Sequence, residues 1–307
     1  MFEPHRDGLS PDAGEGPLPE RPLLAPWLRR VETQDTVLLE YADEIVAVEG
    51  DASVLAALDG QCLLEELSPA ERTAVSALAA EGAVVPGPTV ADEEALREAA
   101  LGRLAPTVVA SRLGEAVVAL VGASPTAEEA ARLLPGHIRR AAWDETPSGV
   151  DLAVAAPGAR ELPELAAWNE RCLEANAPWL LVLPFNGRFA AIGPLFVPGE
   201  TCCYRCFTRR RASALPDPHD FLALELVPAA YPVGRSLAAA LGGLAASVAS
   251  RWLARRDGSV AGAFFALELG DGLRLTRHRV LRVPRCDACS PARAEPPLVP
   301  WASGVRR

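Results

Sequence analysis

The sequence predicts an α/β protein with two units: a small N-terminal winged-helix-like unit and a larger one built on a parallel sheet with helices on both faces. Three observations lead there. Two β-rich runs, three short helical segments and a closing apolar run follow one another between residues 36 and 86. After Pro106, apolar strand-like runs alternate with helix-length segments, the pattern of a covered parallel sheet. Charge also divides along the chain. Residues 31–98 carry sixteen acids against two arginines, a balance of −14, whereas 99–307 carry twenty-four arginines against nineteen acids, a balance of +5. Surfaces of opposite sign indicate separate domains.

In chain order, residues 1–26 are rich in Pro, Gly and charge and predict a disordered lead-in. "TVLLEY" and "EIVAVEG" predict a hairpin turning at Ala42 and Asp43. "DASVLAALDG" predicts a helix capped by Asp51 or Ser53 and stopped by Gly60, and "CLLEELS" a second short one. Ser68, Pro69 and Glu71 form a capping-box start for a third helix, with Val75, Leu78 and Ala79 on one apolar face and Gly82 at its end. These elements place a winged-helix-like domain at 27–88 and a charged linker helix at 89–106. Residues 107–292 then read as the α/β domain, with "AVVALVG", "HIRRAAW", "VDLAVAAP" and "PWLLVLP" as strands. A long Ala-rich helix at 235–254 and the hairpin "AFFALELG"/"LRLTRHRVLRV" complete it, and 293–307 form a tail.

Composition narrows the chemistry. The chain contains no lysine, which excludes Schiff-base, phosphate-loop and general-base lysine mechanisms. No apolar run is expected to reach membrane-spanning length; the nearest, residues 236–253, is interrupted by Gly242, Gly243, Ser247 and Arg251 and reads as a core helix. The N-terminus lacks a signal-peptide pattern, so a cytoplasmic protein is expected. Nucleic acid is not expected as a partner, because the acidic unit would repel phosphates.

The sharpest chemical pattern is the pair Cys203/Cys206 with Cys286/Cys289. Two CxxC turns can wrap one tetrahedral Zn²⁺, and four thiolates close the site, so the role is structural. Dithiol redox cycling is the rival reading. Cys202 is the spare beside the first pair, while Cys62 and Cys172 fall in helical segments as packed residues. In the first strand-to-helix turn, "VGASPTA", Gly122 is the only glycine where a nucleotide loop would have three. His5, His137, His219 and His278 stand in no nucleophile motif, and the arginines at 205, 209, 210 and 211 read as a solvated or partner-facing helix surface.

Together these residues resemble the ThiF-like, ubiquitin-activating-enzyme-related proteins of thiazole/oxazole-modified peptide pathways. The likeness is carried by a "GPxFxPGxTxCYxC" run followed by arginines, here Gly193, Pro194, Phe196, Pro198, Gly199, Thr201, Cys203, Tyr204 and Cys206. It implies a degenerate Rossmann-like ThiF-type domain whose zinc site is completed by Cys286 and Cys289. It also implies an N-terminal domain that binds a precursor's leader peptide as an added strand. On element order, that places leader contacts at Ile45, Val46, Ala47 and Val48 and at Arg72, Val75, Leu78 and Ala79. Adenylating relatives carry a glycine-rich loop, a lysine and a strand-end aspartate; this chain has GASPTA, no lysine, and Ala156-Pro157 at the strand end. The resemblance therefore implies an ATP-free, non-catalytic component that presents the leader peptide to a separate YcaO-type cyclodehydratase and activates it, and it allows a homodimer. A divergent adenylating enzyme and a zinc-thiolate redox protein are the alternatives.

Overall fold

A computed structural model describes residues 18–33, 36–41, 44–49, 53–228, 233–270 and 272–290. The chain divides into two compact units, one comprising Met1–Ala116 with Ser250–Arg256, the other Val117–Ala249 with Asp257–Arg307.

In the first unit, β1 (Pro22–Leu24) is followed by β2 (Arg29–Glu32), β3 (Thr36–Tyr41) and β4 (Glu44–Glu49). β2, β3 and β4 form an antiparallel sheet in that order, which among the described residues leaves β4 at an edge. The predicted hairpin is present; its turn at Ala42 and Asp43 lies outside the described residues, as does Asp51. A single turn α1 (Ser53–Ala56) and a 3-10 turn (Leu64–Glu66) replace the two short helices expected. α2 (Pro69–Ala80) begins as its sequence predicts. The Glu71 N–H donates to Ser68 Oγ (3.3 Å), and the Ser68 N–H donates to Glu71 Oε2 (2.7 Å). This satisfies donors that a helix start leaves free. Val75 and Leu78 join Val37, Leu39, Val54 and Leu58 in one buried cluster.

β5 (Val84–Pro86) returns to pair antiparallel with β1, matching Leu23 with Val85. Residues 22–24, assigned by composition to a disordered lead-in, are thus a strand, and buried Leu23 fixes it. α3 (Glu93–Gly102) starts at Asp92, whose carboxylate accepts from the Glu94 and Ala95 N–H groups. The sequence reading stops this helical stretch at Pro106; instead Pro106 opens α4 (Pro106–Glu115), because a proline is well placed in a first turn.

The second unit holds a seven-stranded sheet. Its strands are β6 (Val117–Val121), β7 (His137–Ala141), β8 (Leu152–Ala155), β9 (Trp179–Leu183), β10 (Phe189–Phe196), β11 (Ala263–Glu268) and β12 (Arg274–Arg279). The order is β12-β11-β10-β9-β8-β6-β7. β7, β6, β8 and β9 are parallel, as the alternation predicts; β10, β11 and β12 continue the sheet antiparallel. The result is a mixed sheet where a parallel one was expected. The parallel strands carry α5 (Pro125–Leu133), α6 (Leu165–Glu174) and a 3-10 segment (Ala159–Glu164) between them. α7 (Tyr204–Ser213), α8 (Pro218–Leu224) and α9 (Arg235–Arg255) link β10 to β11.

α9 corrects one expectation. By length and composition it can cross a membrane, with an 18-residue window of mean hydropathy 1.3. Yet 61% of that window is buried, and a Cβ on Gly242 would lie 2.9 Å from the Ala130 nitrogen of α5. That close approach is the behaviour of a packed core helix. For the first unit, Ser68→Ala should lower stability by about 1 kcal/mol by removing the α2 cap. Chemical denaturation followed by far-UV circular dichroism checks this, and no change would mean that the cap is not formed.

Candidate functional site

Most residues of the GPxFxPGxTxCYxC run have a mechanical role. Gly193 has φ +92°, and a Cβ there would sit 2.2 Å from the Ala263 carbonyl oxygen, so only glycine lets β10 and β11 approach. Phe196 is buried against Trp179, with ring centroids 4.4 Å apart. Pro198 and Gly199 make the turn after β10. Thr201 locks that turn, its Oγ1 accepting the Val197 N–H at 2.7 Å and its own N–H donating to the Val197 carbonyl. The Tyr204 N–H donates to Asn169 Oδ1 at 2.9 Å, which ties the start of α7 to α6.

Cys203 and Cys206 then sit at the head of α7, and Cys286 and Cys289 come to meet them, all four sulfurs lying within 4.8 Å of one another. Cys203 is 3.8 Å from both Cys206 and Cys286, and Cys206 is 3.6 Å from Cys289. Four thiolates at tetrahedral zinc, with Zn–S of about 2.3 Å, stand about 3.8 Å apart. A disulfide would bring two sulfurs to about 2.05 Å. The donor set and spacing therefore fit a closed thiolate metal centre. The Val283 N–H donates to Cys206 Sγ at 3.3 Å. The shared Cys203 thiol and that N–H hold Cys206 far below the ordinary thiol range, at about 4. Its hydrogen bond to Cys206 pushes Cys203 up. Cys202, although adjacent, is outside the cluster, and burial pushes its thiol up to about 12. Cys172 is a packed core residue, as expected.

The arginines on α7 are not a bare solvated face. Arg205 and Arg209 both pair with Asp287, inside the second CxxC, at 2.9 and 3.2 Å. Arg210 donates to the Leu281 and Arg282 carbonyls at 2.6 and 2.9 Å. Arg282 in turn reaches the carbonyls of Gly199 (2.8 Å) and Cys289 (2.6 Å). Arg211 lies over the Phe207 and Phe221 rings and pairs with Glu225 at 3.3 Å. Guanidinium groups thus bind the two halves of the thiolate site together, and they offset the negative charge that four thiolates would leave around a divalent ion.

The predicted peptide contacts separate into two groups. On β4, Ile45 is 67% exposed and Ala47 is exposed, while Val48 packs with the cluster that holds Val37 and Leu39. Val46 pairs with Leu39 in the strand register. On α2, Val75 (0%) and Leu78 (5%) are core residues and offer no surface to a peptide. The periodicity that marked them as an apolar face marked the face that packs on the unit's own sheet. Ala79 and Arg72 are half-exposed, and Arg72 donates to the Glu65 carbonyl at 3.4 Å.

At the turn after β6, Gly122 has φ +114°, and a Cβ there would meet the Ala156 carbonyl oxygen at 2.2 Å. Ser124 caps α5 and donates its hydroxyl to the same carbonyl at 2.8 Å. Glu161, unremarked in the sequence, places its carboxylate between this turn and the one after β8. Burial opposes its charge, but the Ala123 and Gly158 N–H groups and the Trp143 indole outweigh burial and hold the carboxyl below the usual glutamate range. His137, His219 and His278 are exposed, and His219 lies on α8 where a loop was expected. His5 is outside the described residues.

No family model matches the chain, and no curated protein does. Solved structures do. A heterocyclase in complex with substrate and cofactor is similar over 87% of this chain and 39% of its own length, at 23% identity and TM-score 0.66. The heterocyclase TruD is similar over 88% of this chain and 43% of its own, at 26% identity and TM-score 0.65. The microcin C7 biosynthetic enzyme MccB of E. coli, solved with N-formylated MccA and with ATP, is similar over 88% of this chain and 99% of its own. Its identity is 15% and its TM-scores are 0.56 and 0.57. The chain thus spans about two fifths of the heterocyclases it resembles. These neighbours overturn the expectation of a non-catalytic protein, because TruD is a heterocyclase and MccB a biosynthetic enzyme. The expectation of no ATP has no support from them either, since MccB has been solved with ATP.

The metal fit gives a direct test. Purified protein should hold close to one zinc per chain by elemental analysis, Cys202→Ala should keep it, and Cys206→Ser should lose it. Metal loss should lower the unfolding midpoint by roughly 10 °C or more, because binding energy at such a site is folding energy. A metal-free protein of unchanged stability would support dithiol chemistry instead.

Proposed function

We propose that this chain is the peptide-engaging part of a heterocyclase acting on a ribosomally made precursor peptide. The supporting observation is the likeness to two heterocyclases across almost nine tenths of this chain but only two fifths of theirs. In this reading residues 27–88 form a winged-helix-like recognition domain. The leader adds as a strand along the open edge of β4, with backbone hydrogen bonds supplying affinity and Ile45 and Ala47 supplying apolar contact. The domain's acidity leaves little electrostatic attraction for an acidic leader. Residues 107–292 form a ThiF-like unit, with zinc on Cys203, Cys206, Cys286 and Cys289 as its structural staple.

A separate YcaO-type cyclodehydratase completes the assembly. It receives the presented peptide, is activated by this chain, and closes a Cys, Ser or Thr side chain onto the preceding backbone carbonyl with ATP activating the amide oxygen. The assembly works in the cytoplasm. A second reading, a self-sufficient adenylating enzyme, is favoured by the likeness to MccB along nearly all of MccB's length.

Two measurements separate the readings. Labelled precursor should bind the full chain with micromolar or tighter affinity. Ile45→Asp should weaken binding by about tenfold or more without lowering the unfolding midpoint, since an exposed edge position contributes to the interface and not to the core. Binding unaffected by Ile45→Asp would move the leader off β4. Precursor-dependent pyrophosphate exchange by this chain alone would establish the adenylating reading.

A further inference from the structure

The parallel part of the sheet has a switch point. From β6 the chain passes through α5 to β7 on one side, then returns to β8 on the other. In open α/β sheets, anionic ligands bind in the crevice outside the carboxyl ends of the two strands that flank such a point, on free backbone N–H groups. Here those groups are the Ala123 N–H after β6 and the Gly158 N–H after β8. Both donate to one oxygen of Glu161, at 2.9 and 2.7 Å. The other oxygen accepts the Trp143 indole N–H at 2.9 Å.

The bond to Gly158 alone is a local helix cap, spanning three residues. Ala123 lies 38 residues before Glu161 and Trp143 lies 18 before it, so these two bonds are tertiary and serve no cap. The Ser124 hydroxyl on the Ala156 carbonyl, and the absence of any side chain at Gly122, bring the two turns together around the carboxylate.

We infer that Glu161 is a built-in anion in the phosphate position of this switch point, and that it keeps the crevice closed to a nucleotide or other phosphate ligand until its carboxylate is displaced. A tethered carboxylate competes at an effective concentration of about millimolar and repels an incoming phosphate as well. The inference is independent of where the leader binds.

Trp143 supplies the readout, because its indole N–H faces the contested position. In the full-length protein, the Trp143 indole resonance is assigned by its disappearance in Trp143→Phe, and inorganic phosphate and ATP are titrated separately. In the wild-type protein the resonance should stay in place with both. In Glu161→Ala it should move saturably with phosphate, over concentrations that leave the wild-type resonance in place, because the tethered competitor is gone. Glu161→Gln removes the charge that repels phosphate but leaves an amide oxygen for the same donors, so if the alanine variant is unstable it should give a smaller but still saturable shift. A saturable ATP-dependent shift of Trp143 in the wild-type protein would overturn the inference. So would a resonance that ignores phosphate in both variants.

Discussion

Four sulfurs held 3.6 to 3.8 Å from their neighbours are the constraint on which the second unit depends. Four sulfurs so placed have the donor set and spacing to hold a metal ion. The cluster fixes the head of α7 to a loop about eighty positions further along the chain. Around it, Trp179, Phe196, Tyr204 and Phe207 pack as a single aromatic group, and Arg205, Arg209, Arg210 and Arg282 link the two ends by hydrogen bonds and ion pairs. Gly199 and Thr201 shape the turn that delivers Cys203. Sequence pattern, local geometry and metal chemistry agree at this point.

The sheet has two different ends. Parallel strands β7, β6, β8 and β9 form the frame on which nucleotide enzymes are commonly built, and β10, β11 and β12 extend it antiparallel beside the thiolate site. The chain's lack of lysine and its single turn glycine remove the usual phosphate contacts. The Glu161 carboxylate occupies amides that remain. The proposed division of labour assigns ring formation to an associated cyclodehydratase and peptide engagement to this chain.

What was legible in the sequence was local or covalently spaced. The α2 capping box lies within four residues, the strands β6, β8 and β9 are short apolar runs, and the CxxC pairs carry their own geometry. What was not legible depended on distant partners. Arg205, Arg209 and Arg210 read as solvated because the Asp287, Leu281 and Arg282 acceptors that hold them lie more than seventy positions away. Glu161 looked like one acid among many. α8 was hidden by two prolines, although Pro218 occupies its first turn, where proline is favoured. β1 lies in a Pro-rich stretch, and the small residues and Gly-Pro step of β10 give no β-branched run to mark a strand. Val75 and Leu78 show the converse error: their periodicity was real, but it described a core and not a groove.

If this chain enables heterocyclisation by engaging the precursor, ring formation must depend on its presence. Reconstitution with the precursor, ATP and the YcaO-type cyclodehydratase tests it most directly, with ring formation followed by mass spectrometry as loss of one water per ring. The account predicts fast ring formation only when this chain is present, and a return toward the background rate when the leader is deleted from the precursor. Equal ring formation without the chain would contradict it.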